Sequence, residues 1–187
     1  MMLIQLTGLS GAGKTTLAEG AKNALDVLGY RVGVLDGDIC RRQLWPELTF
    51  SRQDRQKNIY RLSSVAQLLC QQGVIVFMAA INPYQSVRAD VSAQYPNVRT
   101  VYVRCDLPTL IRRDTKGLYA RALLPNEHPD KLTNLTGIND LYEAPPTPDL
   151  LIDTTTQSEA QAIARLVEFV QRSITTDYHR TAYDGSR

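Results

Sequence analysis

Eight residues near the beginning of the chain have the types and the spacing that bind a nucleotide phosphate. Residues 8–15 read Gly-Leu-Ser-Gly-Ala-Gly-Lys-Thr, a full match to G-x-x-x-x-G-K-[ST]. In this pattern backbone N–H groups face phosphate oxygens, the lysine reaches the β- and γ-phosphates, and the final hydroxyl is a ligand of Mg²⁺. We predict that this phosphate loop binds ATP and Mg²⁺, with Thr15 as the metal ligand. The predicted ATP-binding residues here are Gly8, Ser10, Gly11, Ala12, Gly13, Lys14, Thr15 and Thr16.

The phosphate loop also occurs in GTPases and motor ATPases, so it does not by itself identify the reaction. A GTPase normally carries an N-K-x-D segment that reads guanine, and the sequence contains none. A motor ATPase is normally larger than 187 residues. A small-molecule kinase, in which a lid keeps water away from the γ-phosphate, is the better prediction.

Two carboxylates follow the second predicted strand, in the segment Leu-Asp-Gly-Asp at residues 35–38. In an open parallel sheet, ligands bind beyond the carboxyl ends of the strands. A carboxylate there can orient an attacking hydroxyl or hold the water ligands of a metal. We therefore predict Asp36 and Asp38 as catalytic residues beside Lys14, and the spacing does not distinguish between the two. Solvated carboxylates in an Asp-Gly turn are the alternative.

The third group of polar residues lies at the start of a predicted helix. Ser51 and Asp54 resemble a capping box, with Asp54 in place of the usual glutamate. Arg55 and Asn58 follow within the first turns, where a basic side chain could bind a second anion. A solvated helix face is the alternative reading of these residues.

Short apolar runs alternate with amphipathic segments along the chain. We predict strands at residues 3–7, 32–35, 74–80, 98–103 and 150–152. Helices are predicted at residues 14–28, from 51 to about 73, at 107–114 and at 158–174. This order predicts an α/β protein with the three-layer P-loop NTPase fold, in which helices flank a roughly five-stranded parallel sheet. The run at 74–80 is the most apolar, so we predict that it is the central strand.

The stretch from residue 116 to 148 differs from the rest because it has five prolines and no sustained periodicity. A connection of that length inside a compact domain is usually functional, so we predict a lid. Residues 1–174 are predicted to form a single kinase domain that includes this lid, a size at which one core is normal. Residues 175–187 are predicted to be a polar, frayed tail.

Taken in order, these segments resemble the adenylylsulfate (APS) kinase family, whose members phosphorylate the ribose 3′-hydroxyl of APS to give PAPS. The resemblance runs from Leu6 to about Asp153. It rests on the phosphate loop, residues 35–38, Phe50-Ser51, Asp54-Arg55, Asn58, Pro83-Tyr84, Arg113-Asp114, residues 116–119, residues 136–138 and Tyr142-Glu143. The resemblance implies homodimers as the common assembly.

The resemblance also implies roles for individual residues. Arg113 would stack on the adenine of ATP, and Lys116 would belong to the lid over both substrates. Two arginines, a phenylalanine and an asparagine would hold the adenine and phosphosulfate of APS. The acceptor-binding residues that we predict on this basis are Asp38, Arg41, Phe50, Arg55, Asn58, Ile81, Asn82, Lys116, Leu135, Thr136 and Gly137.

Three departures from the family pattern concern the acceptor side. Asn82 stands where the family usually has a serine discussed as a phosphorylation site. An amide cannot carry phosphate, so a phosphoserine intermediate is excluded at this position. Direct in-line transfer from ATP does not require such an intermediate. Leu135 replaces a phenylalanine whose stacking on a base is typically worth about 1–3 kcal/mol. Residues 123–129 replace a short basic turn and lengthen the lid. These changes leave two alternatives open: a kinase for another nucleotide, such as a cytidine diphosphoramidate, and a non-catalytic nucleotide sensor.

Composition adds little beyond these motifs. The formal charge is +2, from 21 Lys+Arg against 19 Asp+Glu, which favours neither a nucleic-acid polymer nor a membrane as partner. Cys40, Cys70 and Cys105 show neither disulfide nor metal-ligand spacing. The first motif follows Met1 almost directly, so we expect no signal peptide. These features predict a cytoplasmic protein.

Overall fold

The computed structural model describes the backbone of residues 1–184 and the side chains of residues 1–175. Its sheet has five parallel strands in the order β2-β3-β1-β4-β5. The strands are β1 (Leu3–Thr7), β2 (Val32–Asp36), β3 (Ile75–Ala79), β4 (Val98–Arg104) and β5 (Leu150–Asp153). The predicted α/β class and the five-stranded parallel sheet are thus confirmed.

Seven helices connect or follow the strands in the described part of the chain. They are α1 (Lys14–Val27), α2 (Gly37–Leu44), α3 (Arg52–Gln71), α4 (Gln85–Gln94), α5 (Leu107–Arg113), α6 (Leu118–Ala122) and α7 (Glu159–Asp184). Among the described residues, no helix combines the length and the apolar character needed to cross a bilayer.

The helices cover both faces of the sheet because side chains alternate along each buried strand. In β1, Ile4 and Leu6 pack with α1 and α7 in one apolar cluster. Leu3, which precedes Ile4, packs on the opposite face with α3 and α4. In β3, Phe77 belongs to the first cluster and Met78 to the second. The sheet is therefore the middle of three layers.

Two predictions about single elements were wrong. β3 lies inside the sheet, but the central strand is β1, because β1 is the third of the five strands in the order β2-β3-β1-β4-β5. Helix α7 does not end at Ile174 but continues to Asp184, so residues 175–184 of the predicted frayed tail are helical. No glycine or proline interrupts this segment before Gly185. Residues 185–187 lie outside the described part of the chain.

Three short helices were not predicted: α2, α4 and α6. Helix α2 begins within the Asp-Gly-Asp segment, which by itself is typical of a turn. Helix α4 is mostly polar and buries only Val87, Arg88 and Val91. Helix α6 has five residues, too few to show helical periodicity. Each is stabilised by contacts with the rest of the fold rather than by a strong local pattern.

Candidate active site

The phosphate loop joins the end of β1 to the start of α1. Gly8 has φ 153°, and a Cβ atom built there would lie 2.2 Å from the carbonyl oxygen of Val103, so only glycine fits. The loop is held from outside by two hydroxyls: Tyr119 donates to the carbonyl of Ser10 at 2.8 Å, and Thr154 donates to that of Ala12 at 3.0 Å. The curled backbone that phosphate binding needs is therefore built into the fold.

Lys14 is a buried cation at the first position of α1. Its Nζ donates to the carbonyl oxygens of Gly8 at 2.9 Å and Leu9 at 2.8 Å. Burial lowers its pKa to about 8, against the opposing influence of Asp38. None of the ion pairs among the described residues includes Lys14. A buried ammonium group without a carboxylate partner suits an anionic ligand such as a phosphate chain.

Asp36 is tied to the phosphate loop and to α2 at once. Its Oδ2 accepts a hydrogen bond of 2.6 Å from the hydroxyl of Thr15. Its Oδ1 accepts from the N–H groups of Asp38 and Ile39, both at 2.9 Å, and so caps α2. Hydroxyl and carboxylate oxygens are hard ligands of the kind that Mg²⁺ prefers. No group of three or more His, Cys, Asp or Glu residues capable of holding a metal occurs among the described residues, so bound Mg²⁺ would also need phosphate oxygens.

Asp38 lies two residues further along the chain, and its side chain is 59% exposed. Its Oδ2 accepts a 2.7 Å hydrogen bond from Nζ of Lys116 in the lid. Partial burial acts to raise its pKa, but Lys116, with Lys14 and Arg41, lowers the pKa below the usual value for aspartate. Asp38 is therefore ionised at neutral pH and able to accept a hydrogen bond from a hydroxyl.

Beside Asp38 lies a second cavity, which we call the acceptor pocket. Its basic and aromatic members interact directly: the guanidinium carbons of Arg41 and Arg55 lie 4.9 and 5.6 Å from the centre of the Phe50 ring. The predicted acceptor residues that line the pocket are Asp38, Arg41, Phe50, Arg55, Asn58, Ile81 and Asn82. The structure thus brings together residues from β2-α2, from α3 and from the loop after β3.

Arg55 also connects the acceptor pocket to the lid. Its Nη1 donates to the hydroxyl of Thr136 at 2.9 Å, and its Nη2 donates to the carbonyl of Asn134 at 2.7 Å. Nη2 lies 3.4 Å from Oδ2 of Asp140 as well, and Nε donates to the carbonyl of Phe50. The role predicted for Arg55 as an anion-binding residue stays a prediction, since its guanidinium is engaged with the lid here.

Three of the predicted lid and nucleotide residues occupy less expected places. Leu135 is 5% exposed and packs into the core cluster below the lid, although it also borders the larger groove next to Phe50. Gly137 lies against Leu9 of the phosphate loop. Arg113 donates to the carbonyl of Thr154 at 2.8 Å and does not line the cavity that contains Lys14. Its predicted stacking on adenine stays a prediction.

Several residues that support the site were not identified from the sequence. Tyr119 and Thr154 hold the phosphate loop, and Arg88 and Tyr142 form part of a buried polar group behind the acceptor pocket. Tyr119 and Tyr142 lie in segments that carry the family resemblance, and that resemblance could have identified them. Arg88 lies in a mostly polar stretch without a motif.

Comparisons with known proteins agree over nearly the whole chain. A family model described as adenylylsulphate kinase matches residues 1–153. An adenylyl-sulfate kinase of Chloroflexus aurantiacus is 44% identical over 171 residues, which cover 91% of this chain and 89% of that protein. An adenylyl-sulfate kinase of Synechococcus sp. is 42% identical over 171 residues, 91% of this chain and 92% of that protein.

A solved structure shows the same arrangement in three dimensions. The APS kinase of Mycobacterium tuberculosis, in complex with AMPPNP and APS, matches with a TM-score of 0.83 and 34% sequence identity. The match covers 91% of this chain and 97% of that chain. The resemblance inferred from the motifs is therefore confirmed by sequence and by fold.

Proposed function

Because this chain belongs to the adenylylsulphate kinase family, we propose that it transfers the γ-phosphoryl group of ATP to the 3′-hydroxyl of adenosine 5′-phosphosulfate, giving 3′-phosphoadenosine 5′-phosphosulfate and ADP. As a member of that family the chain is an ATP-dependent P-loop kinase. One observation carries the proposal: Asp38 and Ile81 line both the cavity that contains Lys14 and the acceptor pocket. A phosphoryl donor and an acceptor hydroxyl bound in these two cavities would meet beside Asp38.

The proposed mechanism assigns a separate task to each polar group. Lys14 binds the phosphates of ATP and neutralises the charge that spreads over the transferred group. Asp38 orients the acceptor hydroxyl for in-line attack. Its lowered pKa makes it a weak base, and the loose transition state of phosphoryl transfer requires positioning more than early deprotonation.

Magnesium is proposed as the metal cofactor, held on the protein side by Thr15 and by Asp36 directly or through water. When bound, it would supply positive charge that neutralises the phosphate oxygens of ATP. The close hydroxyl–carboxylate pair of Thr15 and Asp36 supports this assignment because both oxygens are within reach of one ion.

On the acceptor side, we propose that Arg41 and Arg55 bind the phosphosulfate anion, with Phe50 stacking on the base. The cluster of two guanidinium groups around one exposed ring supports this proposal, since it offers both charge and a π-surface. Anion binding at Arg55 would require it to exchange part of its contacts with the lid. A homodimer is proposed from the family resemblance, and a cytoplasmic location from the sequence features described above.

A coupled ADP-release assay with Mg·ATP tests the function. APS, CMP, CDP, AMP and a cytidine diphosphoramidate are offered at matched concentrations, and Lys14→Ala is the control. We expect strong turnover with APS alone, and loss of that turnover in the control. Turnover with a cytidine nucleotide instead would show that the pocket, with Asn82, Leu135 and the longer lid, binds a different acceptor. ATP binding without ADP release in any arm would indicate a sensor.

A further inference from the structure

Arg88 is the largest fully buried side chain of the described residues, at 2% exposure on α4. Its guanidinium donates three hydrogen bonds, and two of the three acceptors are backbone carbonyls. Nη1 donates to the carbonyl oxygen of Asn82 at 2.6 Å. Nη2 donates to the carbonyl oxygen of Glu143 and to Oε1 of Gln85, the latter at 2.8 Å. No carboxylate forms an ion pair with it among the described residues, and its Nε has no hydrogen-bond partner.

The first acceptor belongs to the loop at residues 81–83, which forms one wall of the acceptor pocket. Asn82 has φ 43°, a left-handed conformation that is uncommon for non-glycine residues and that asparagine adopts more readily than most. The hydroxyl of Thr7 donates to the carbonyls of Ile81 at 2.6 Å and Asn82 at 3.2 Å from the other side. Arg88 and Thr7 therefore hold this wall from two directions.

The second acceptor lies at the end of the lid, where the chain returns toward β5. The N–H of Glu143 donates to the carbonyl of Pro83 at 2.9 Å. Its carboxylate accepts from the N–H of Gln85 at 2.6 Å, at the start of α4. Arg88 donates to the carbonyl of the same Glu143. One buried guanidinium thus joins the wall of the acceptor pocket to the end of the lid.

Burying a guanidinium group, as at this position, is often less favourable in free energy than filling the same volume with an apolar side chain. Burial lowers the pKa of Arg88, which reflects the loss of hydration of its charge. An apolar side chain of similar volume would avoid that cost, and replacing buried charges by packed apolar residues is often neutral or stabilising. What an apolar side chain lacks is directional donors, which fix the position of each carbonyl they bind.

We infer that Arg88 is a positioning residue for the phosphoryl acceptor, which fixes the 81–83 wall of the pocket relative to the closing end of the lid. The inference rests on the proposed function, since it assumes that the acceptor binds against this wall. The 81–83 wall is joined to the phosphate loop by a hydrogen bond of 3.4 Å, from the N–H of Gly8 to the carbonyl oxygen of Ile81. Arg88 itself donates no hydrogen bond to residues 8–15. Its loss therefore affects the acceptor side of the reaction more than the ATP side.

The test is a comparison of steady-state kinetics for Arg88→Met, Arg88→Lys and a stability control, Val170→Ala. Val170 is fully buried on α7 in the opposite core cluster, so its truncation destabilises the fold without touching residues 81–83. We expect Arg88→Met to lower kcat/KM for APS on the order of 10²-fold, as misplacement by about 1 Å can do. The KM for ATP should stay within about threefold. Arg88→Lys keeps one charged donor group. We therefore expect its kcat/KM for APS to be about tenfold higher than that of Arg88→Met.

Three results would overturn the inference. Equal losses on the ATP and acceptor sides in Arg88→Met would indicate a general structural role. A general structural role would also be indicated if Val170→Ala, at a decrease in Tm comparable to that of Arg88→Met, lost as much kcat/KM for the acceptor and kept its KM for ATP. If Arg88→Met does not fold, Gln85→Leu removes one of the three acceptors of the guanidinium. Parent-like acceptor kinetics in both Gln85→Leu and Arg88→Lys would then contradict the inference.

The parent protein separates this inference from the proposed function. If the parent turns over another acceptor of the assay panel and not APS, the proposed acceptor is wrong. The same kinetic comparison, made on the acceptor that is used, then decides the role of Arg88.

Discussion

At the scale of single residues, Asp36 and Asp38 differ in what their oxygens already bind. Both oxygens of Asp36 are engaged, one with the Thr15 hydroxyl and one with the first N–H groups of α2. The carboxylate of Asp38 is more exposed, and among the described residues its hydrogen-bond donor is Lys116 of the predicted lid. These contacts support the proposal that Asp36 lies beside Mg²⁺ and that Asp38 meets the acceptor hydroxyl.

Substitution by asparagine separates the two roles. We expect Asp38→Asn to lower kcat on the order of 10²-fold or more, because the amide no longer offers a charged acceptor to the hydroxyl, while ATP affinity stays near the parent value. We expect Asp36→Asn to keep its cap on α2, since asparagine caps as well as aspartate, and to need more Mg²⁺ for half-maximal rate. Magnesium titrations and kcat measurements on both variants check this. A parent-like kcat in Asp38→Asn would mean that its carboxylate has no part in the reaction.

At the scale of elements, the lid and the phosphate loop meet at Gly137 and Leu9. Gly137 has φ 89°, and a Cβ atom there would lie 2.6 Å from Cδ2 of Leu9. The close approach exists because glycine leaves room for the leucine tip. The lid is held at two further points, by Arg55 on Thr136 and by Lys116 on Asp38. We therefore expect closure of the predicted lid over the substrates to depend on packing at the phosphate loop as well as on charge.

Gly137→Ala tests this packing, with Gly117→Ala as its matched control. Gly117 lies in the same lid with φ 64°, but nothing lies within 4 Å of an added Cβ. Both changes strain the backbone, at roughly 1–3 kcal/mol each, so the difference between them isolates the contact with Leu9. We expect KM values for ATP and APS to rise on the order of tenfold in Gly137→Ala and to change less than threefold in Gly117→Ala. Equal effects in both variants would show that backbone strain alone matters.

At the scale of the whole molecule, the candidate active site is built from segments that are far apart in the sequence. The phosphate loop is connected to β1 and α1 and supported by Tyr119 and Thr154, which come from segments far along the chain. Residues 1–174 are predicted to form one domain, and two apolar clusters share the same sheet. A ligand that contacts several of these segments should stabilise the whole fold, because it binds the folded state alone.

Thermal unfolding with and without Mg·ATP measures this coupling. At about 100 times its dissociation constant, ATP should add about 2.7 kcal/mol to the free energy of unfolding, a rise in Tm of roughly 5–11 °C for a chain of this size. The shift should shrink above pH 8, because the ammonium of free Lys14, with a pKa of about 8, is then increasingly neutral and binds phosphate less well. Lys14→Ala and addition of EDTA are the controls. An undiminished shift in Lys14→Ala would contradict the assignment of this lysine to ATP.

The sequence by itself determined the parts whose physics is local. The phosphate loop needs eight consecutive residues, so their types alone predicted it, and the strands of a buried parallel sheet follow from short apolar runs. The cap of α3 could also be predicted, since Ser51 accepts from the N–H of Asp54 only three residues away. Elements with weak local patterns, such as the polar helix α4, could not.

The tertiary structure decided everything that depends on distant partners. Lys116 and Asp38 are separated by 78 residues, and Arg55 and Thr136 by 81, so no spacing rule connects them. The carboxylate oxygens of Asp36 and Asp38 have different contacts because different neighbours fold against them. Arg88 is the clearest example: it lies in a mostly polar stretch without a motif, and only the packing of α4 against the end of the lid makes it a buried donor. Local spacing predicts which residues have suitable chemistry, whereas the fold determines which distant residues they contact.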